Sequence, residues 1–175
     1  SRQRIGLGFA TGRSIEMTTE ILKELNIPTP DILITSVGSE IYYAGEKLQD
    51  PGWRTHIRKK WEREKIVQLL KEVSFLKPQE DRFQRKFKIS YYMEPGAERI
   101  AKVNEILTSA RLFYSLVWSH EAFLDILPRR ASKGKAIRYI SYKWEISSEN
   151  IMVCGDSGND EEMLRGSSKG VVVAN

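Results

Sequence analysis

The sequence has little of what staples or metallates a small fold. It carries one cysteine, Cys154, among 175 residues, which excludes an internal disulfide framework. Histidine occurs twice, as His56 and His120, far apart and without zinc-ligand spacing. No apolar run approaches the roughly 18 residues that cross a bilayer. No basic-then-apolar leader opens the residues given. Charge of one sign is scarce too: 28 basic and 23 acidic side chains leave a net +5. The basic residues gather at Arg58–Lys65, where acids interleave as on a solvated helix face, and at Gln84–Lys88. Such a mild bias suits a small anionic substrate. Neither nucleic acid nor a membrane is expected as a partner, and the cysteine usage fits a reducing, cytoplasmic setting. What is present is ordinary for a globular chain, 41% hydrophobic and 29% charged, long enough for a core with an inserted lobe.

The organising stretch lies near the end, from Ile151 to Leu164. Ile151–Cys154 is a short apolar run and predicts a strand covered on both faces, with Cys154 a small core residue. Gly155 and Gly158 permit tight turns around Asp156 and Asp160. The chain opens comparably. Arg4–Ala10 predicts a strand, Thr11–Gly12–Arg13 a turn, and Ser14 the N-cap of a helix through Leu25 that Asn26 and Pro28 end. Asp31–Thr35 predicts a second buried strand, and 41–43 with 46–48 a small hairpin. The middle differs. Helices are expected over 51–76 with Trp53, Ile57, Trp61, Ile66, Leu69 and Leu70 inward, followed by strand 87–93, helix 95–107 and antiparallel strands 111–119 and 121–127. Ser132 caps a further helix, and 170–174 is a last strand. The expected fold class is α/β, a Rossmann-like parallel sheet core with an inserted α+β lobe.

The glycines of the opening strand do not form a nucleotide site. Gly6-x-Gly8-x-x-Thr11 has threonine where the dinucleotide fingerprint needs glycine, and the Gly8–Gly12 spacing is too short for a P-loop. Thr11 instead ends a strand before a helix, where its hydroxyl and the following amides suit a phosphate; a plain Thr-Gly turn is the other reading. Lys133 sits in the first turn of a helix, against the dipole preference, which fits a nearby anion or a merely solvated lysine. Asp156 and Asp160, beyond a strand's carboxyl end, suit a hard cation that shares a phosphate, or simply a helix start. Together they place hydroxyl, ammonium and two carboxylates at turns of one sheet, the parts of a phosphoryl-transfer site.

Phe9–Ser14, Ser132–Lys135 and Gly155–Asp160 resemble the second, third and fourth motifs of the haloacid dehalogenase superfamily. Within it, Ile34–Tyr43, Lys88–Tyr91 and Leu127–Gly134 resemble sucrose-phosphate phosphatases, above all the phosphatase-like C-terminal domain of bacterial sucrose-phosphate synthases. The resemblance implies a core of residues 1–44 and 128–175 around a cap of 45–127. It implies Thr11 and Lys133 on the phosphate and Mg2+ on Asp156, with Asp160 acting at the metal and in catalysis. It places Gly12, Gly38, Ser39, Glu40 and Asn159 toward the substrate, sucrose 6-phosphate, with a synthase glycosyltransferase domain as a candidate partner. One departure stands out: the superfamily's first motif, Asp-x-Asp, occurs nowhere in the sequence. By that resemblance the nucleophilic aspartate lies outside this chain, whose first strand and far end are expected to be missing. The alternatives are a non-catalytic sugar-phosphate-binding module and a phosphatase for another sugar phosphate, such as a mannosyl or trehalose ester.

Overall fold

A computed structural model describes residues 5–46 and 48–173. Strand β1 (Gly8–Ala10) leads into α1 (Ile15–Glu24), whose N-cap Ser14 accepts from the Met17 amide as its residue type foretells. Asn26, at φ 52°, turns the chain out of the helix. Strand β2 (Ile32–Thr35) then runs parallel to β1 and is buried throughout. Ser36, Val37 and Gly38 follow, all left-handed at φ 53°, 59° and 89°. For a β-branched valine that is a costly conformation, held because Val37 is only 1% exposed among its neighbours.

Strand β3 (Glu40–Tyr43) turns back on β2 in antiparallel register, Ile34 opposite Ile41. The expected hairpin with 46–48 is not formed among the described residues: the chain turns at Gly45, but Glu46 and Leu48 are in no strand, and Leu48 is exposed. Lys47 of that hairpin lies outside the described residues, as do Arg4 and Ala174 of the two terminal strands read from the sequence.

Helices α2 (Pro51–Ile57) and α3 (Arg63–Leu70) come next, then a two-residue strand β4 (Lys77–Pro78), β5 (Ile89–Tyr92), α4 (Ala97–Ser109), β6 (Tyr114–Ser119) and β7 (Phe123–Pro128). These strands form an antiparallel sheet of their own in the order β4-β5-β7-β6. Ile89, Tyr91, Leu124 and Ile126 point to one face of it, where Ile66, Leu70, Val103 and Leu107 of α3 and α4 cover them. Leu69, expected inward, is 36% exposed, because the neighbouring Leu70 takes the buried direction. Trp53 and Ile57 of α2 pack instead with Ile32, Ile34, Val37 and Ile41 of the first sheet, together with Leu127, Ala136 and Ile140. So α2 adheres to the opening strands although it falls within 45–127.

The chain returns through α5 (Lys133–Lys143), β8 (Met152–Gly155), α6 (Glu161–Leu164) and β9 (Lys169–Val172), the two strands being parallel. Among the described residues β1 pairs only with β2 and β8 only with β9, so the core sheet is in two pieces, with β3 as an antiparallel edge. This accounts for one correction. Strand β8 is not covered on both faces: Val153 is buried, Met152 is 67% exposed, and Cys154 is exposed and no core residue.

A buried carboxylate ties β3, α2 and α5 together. Asp50, 1% exposed, caps α2 by accepting from the Trp53 amide at 2.6 Å. It also accepts from Tyr43 at 2.5 Å, Tyr139 at 2.9 Å and Lys143 at 2.5 Å. Burial alone would raise its pKa; the hydrogen bonds from Lys143, Trp53, Tyr43 and Tyr139 outweigh burial and lower it to about 2. Because the folded value lies below the ordinary 3.8, the stabilisation is complete above that pH and is lost as pH falls toward 2. With Lys143 partly exposed, the loss is expected to be about 1–2 kcal/mol. Asp50→Ala should cost about 3 kcal/mol, a lost cap plus orphaned buried donors, and should flatten this acid limb. Urea unfolding of both proteins between pH 2 and 5 measures it.

Candidate functional site

The site is assembled around the N-terminus of α5. Ser132 accepts from the Lys135 amide at 3.0 Å, which fixes Lys133 as the first helical residue. The left-handed turn 36–38 lies directly against it. A Cβ at Gly38 would sit 2.2 Å from the Ser132 carbonyl carbon and 2.4 Å from the Lys133 nitrogen, so only glycine permits the approach. Trp53 holds the turn from behind, donating from Nε1 to the Gly38 carbonyl at 3.1 Å. Thr11, just past β1, is stitched to the same turn: its amide donates to Ile34 at 2.8 Å and its carbonyl accepts from Val37 at 3.0 Å. The Thr11 hydroxyl accepts from the Arg13 amide at 3.2 Å. A Cβ on Gly12 would lie 3.7 Å from the Asn159 side-chain nitrogen, so the loop after β1 meets the loop after β8.

At the centre is a buried ion pair. Lys133 Nζ lies 2.6 Å from Asp160 Oδ1 and 2.5 Å from Asn159 Oδ1, with Lys133 and Asp160 each only 4% exposed. The other Asp160 oxygen accepts from the Asp156 and Ser157 amides, each at 3.3 Å, and from Ser157 Oγ at 3.2 Å. Gly155 makes room for this: a Cβ there would lie 2.7 Å from the Asp160 side chain. Burial pushes the Asp160 carboxyl upward, but the Lys133 ammonium and the loop amides prevail and hold it below its ordinary value. Asp156, on the same loop, presents its carboxylate at the exposed surface. Among the described residues no group of three His, Cys, Asp or Glu side chains converges as a ready cation cage. The donor set still fits Mg2+, which takes one or two carboxylates and completes its shell with water and phosphate.

Glu40 opens the second half of the site. It is 6% exposed and accepts from Thr35 Oγ1 and Ser36 Oγ, each at 3.1 Å. From the four-stranded lobe Arg85 reaches over, placing Nε 2.9 Å from Glu40 Oε1 and NH1 3.2 Å from Glu16 Oε2. Ser39 is fully buried, and its hydroxyl has no hydrogen-bond partner among the described residues. The sequence pointed to Thr11, Gly12, Gly38, Ser39, Glu40, Lys133, Asp156, Asn159 and Asp160. The fold brings Thr11, Gly12, Gly38, Lys133, Asn159 and Asp160 into one cluster, with Ser39 and Glu40 adjoining it along the chain. Sequence reasoning missed Arg85 and its partner Glu16, 69 residues apart, which carry no local signal beyond a basic run.

The family profile described as sucrose-6F-phosphate phosphohydrolase matches residues 1–175. The chain belongs to this family. It is 36% identical over 177 residues to probable sucrose-phosphatase 3a of Arabidopsis thaliana, a match covering 97% of this chain and 42% of that protein. The sucrose-phosphatase of Synechocystis sp., solved in complex with sucrose and phosphate, superposes with a TM-score of 0.90 at 33% identity, over 96% of this chain and 69% of that one. Mannosylfructose-phosphate phosphatase of Agrobacterium fabrum is 28% identical over 171 residues, covering 97% of this chain and 69% of that protein. This sucrose-6F-phosphate phosphohydrolase family member thus spans about two fifths of its plant relative, and the resemblance read from its motifs holds over the whole chain.

The buried pair makes a test of its own. Lys133→Met leaves a buried carboxylate unpaired and should cost about 3–5 kcal/mol. Adding Asp160→Asn removes that orphan charge and should recover a large part of the loss. Urea unfolding of wild type, both single variants and the double variant closes the cycle; purely additive losses would contradict the pairing.

Proposed function

We propose that this chain is the phosphate-handling part of a Mg2+-dependent phosphatase that converts sucrose 6-phosphate to sucrose and phosphate. The observation that carries the reading is the convergence of Thr11, Gly12, Gly38 and the Lys133–Asp160–Asn159 cluster at the start of α5, in a member of this family. In this reading residues 1–44 and 128–175 are the core and 45–127 the cap. Lys133 neutralises the non-bridging phosphate oxygens, while the Thr11 hydroxyl and the Gly12 amide orient them. Asp160 holds Lys133 and the loop in place. Asp156 would hold Mg2+, which supplies further charge neutralisation to the phosphate when bound. Ser39 and Glu40 turn toward the sugar. The attacking carboxylate comes from outside residues 1–175, forming an aspartyl-phosphate that water then cleaves. Strand β1 has one edge without a strand partner among the described residues, and a further parallel strand laid there would end beside Thr11.

No helix among the described residues is long and apolar enough to cross a membrane, and we place the enzyme in the cytoplasm. A fused or associated sucrose-phosphate synthase glycosyltransferase domain would supply its substrate. A second reading is a sugar-phosphate-binding module without turnover. The absence of Asp-x-Asp from all 175 residues favours it for this chain taken alone.

Residues 1–175 alone are expected to release no phosphate from sucrose 6-phosphate. The chain extended by the residues encoded upstream of Ser1 should do so in a Mg2+-dependent manner. In that longer protein Lys133→Ala should lower kcat/KM by about 100- to 1000-fold. Lys133→Arg should rescue little, since a planar fork replaces a compact charge, and Asp156→Asn should shift the Mg2+ dependence upward. Phosphate-release assays against sucrose 6-phosphate and mannosyl esters decide between substrates. Tight binding without turnover in the extended chain would favour the module.

A further inference from the structure

Helix α5 carries a second charged face. Lys135 follows Lys133 by two residues, about 200° further round the helix, so the two cations leave it on opposite sides. Lys133 is buried against Asp160, whereas Lys135, Arg138, Tyr139 and Tyr142, spaced as one helical face, line a separate pocket of about 650 Å³. Its other walls come from distant stretches of chain. Lys59 and Lys60 lie just beyond α2, with His56 at the end of that helix. Arg129 and Arg130 follow β7 in a turn where the Ala131 amide donates to the Pro128 carbonyl at 2.8 Å. Lys135 Nζ donates to the Arg129 carbonyl at 3.1 Å and pins that turn to α5. Phe113, just ahead of β6, adds a ring over which Lys60 Nζ sits, 4.1 Å from the centre.

Six cations therefore border one hollow, and no carboxylate lines it. Lys59, Lys60, Arg129 and Arg130 make no ion pair among the described residues. Lys135 and Arg138 share Glu162, at 3.4 and 3.8 Å, and that carboxylate is 43% exposed. A merely solvated basic face interleaves acids. Glu62 and Glu64 interleave here in sequence, yet neither lines the pocket. Lys60 also holds φ 61°, a left-handed conformation that suits glycine and strains lysine. Like charges around one pocket repel, since screening at physiological salt takes hold only beyond about 8 Å. An anion relieves that repulsion. The volume falls within the roughly 300–1,000 Å³ of small-molecule sites and exceeds what a single phosphate fills. Arginine forks beside lysine ammoniums suit phosphate oxygens, and Tyr142, 77% exposed, offers a free aromatic face.

We infer that this pocket binds a small anion carrying a diphosphate group, at a site separate from the phosphate cluster around Lys133. Arg129, Arg130, Lys59 and Lys60 supply unpaired charge, and Lys135 and Arg138 complete the ring. The bound anion joins residues on both sides of Pro128, where the chain leaves the four-stranded sheet for α5. The diphosphate arrives free, as pyrophosphate, or on a nucleoside, whose base Tyr142 would cover. The assignment does not depend on the phosphatase reading.

His56 is the reporter. Partial burial first, and then the Arg130 guanidinium, hold its pKa below the ordinary 6.5. An anion in the pocket favours the protonated ring and raises that pKa. The other histidine of the sequence, His120, sits between β6 and β7, lines no part of the pocket and serves as the control. NMR titration of both rings in residues 1–175, with pyrophosphate and separately with ADP, reads binding. Pyrophosphate should raise the His56 pKa by about 1 and leave His120 unmoved. Arg129→Ala combined with Arg130→Ala should weaken pyrophosphate about tenfold or more, and both side chains are exposed, so the fold should survive. Lys60→Gly removes one charge while suiting the backbone, and should weaken binding about threefold or more with no loss of thermal stability. Similar affinity for the two probes assigns the free anion; tighter ADP binding that Tyr142→Ala abolishes assigns the nucleotide. No His56 response to either probe, or a response that the arginine pair and Lys60→Gly leave unchanged, would overturn the site.

Discussion

The contact between Lys133 and Asp160 is the constraint on which the site depends. It joins the start of α5 to the loop after β8, two segments that no backbone ladder connects. The pair is buried and short, and Asn159 and the loop amides complete it. Removing either partner would leave a bare charge in a dry place. The loop conformation is thereby fixed by the lysine, and the lysine by the loop. In the proposed reading, a phosphate entering beside Lys133 would meet an ammonium already aimed and partly neutralised, so little reorganisation would be needed on binding.

A second set of charges does for the lobes what this pair does for the loops. Arg85, in the isolated bridge just ahead of β5, reaches onto Glu40, which Thr35 and Ser36 also hold, and onto the more exposed Glu16. Glu40 opens β3 just after the turn that carries Gly38 and accepts from Thr35 and Ser36 before it, so one carboxylate bears on both the position of the lobe and the shape of that turn. Bidentate arginine suits this, because its planar fork fixes direction as well as distance.

Much of this was legible. Ser14 and Ser132 announce the starts of α1 and α5, and the period-two alternation of Lys88, Ser90 and Tyr92 against Ile89 and Tyr91 announces a strand with one apolar face. The motif loops were legible because glycine, aspartate and threonine there answer to local backbone chemistry. Three things were hidden. The pairing of β3 with β2 instead of a local hairpin depends on which backbone edge is available, which composition does not encode. The exposure of Cys154 follows from what fails to cover β8, and an apolar run reads alike whether one or both faces are packed. Arg85 stood out only as a member of the basic cluster 84–88, since its partners lie far off along the chain and meet it only after folding.

The two-piece core sheet has a consequence for how the molecule breathes. Strand β2 is hydrogen-bonded on both sides and buried along its length, whereas among the described residues β8 and β9 have only each other, with Met152, Val171 and Val172 open to solvent. Backbone amides are protected from exchange with deuterium by the free energy needed to open the unit that contains them. The strand pair ahead of and behind the acidic loop is tied to the rest by side chains, with Val153, Asp160 and Met163 buried, and by no strand pairing among the described residues, so a low opening cost is expected. Its amides are expected to exchange ahead of those in β2, and a ligand bridging Lys133 to the loop after β1 would slow the exchange of strands it never touches.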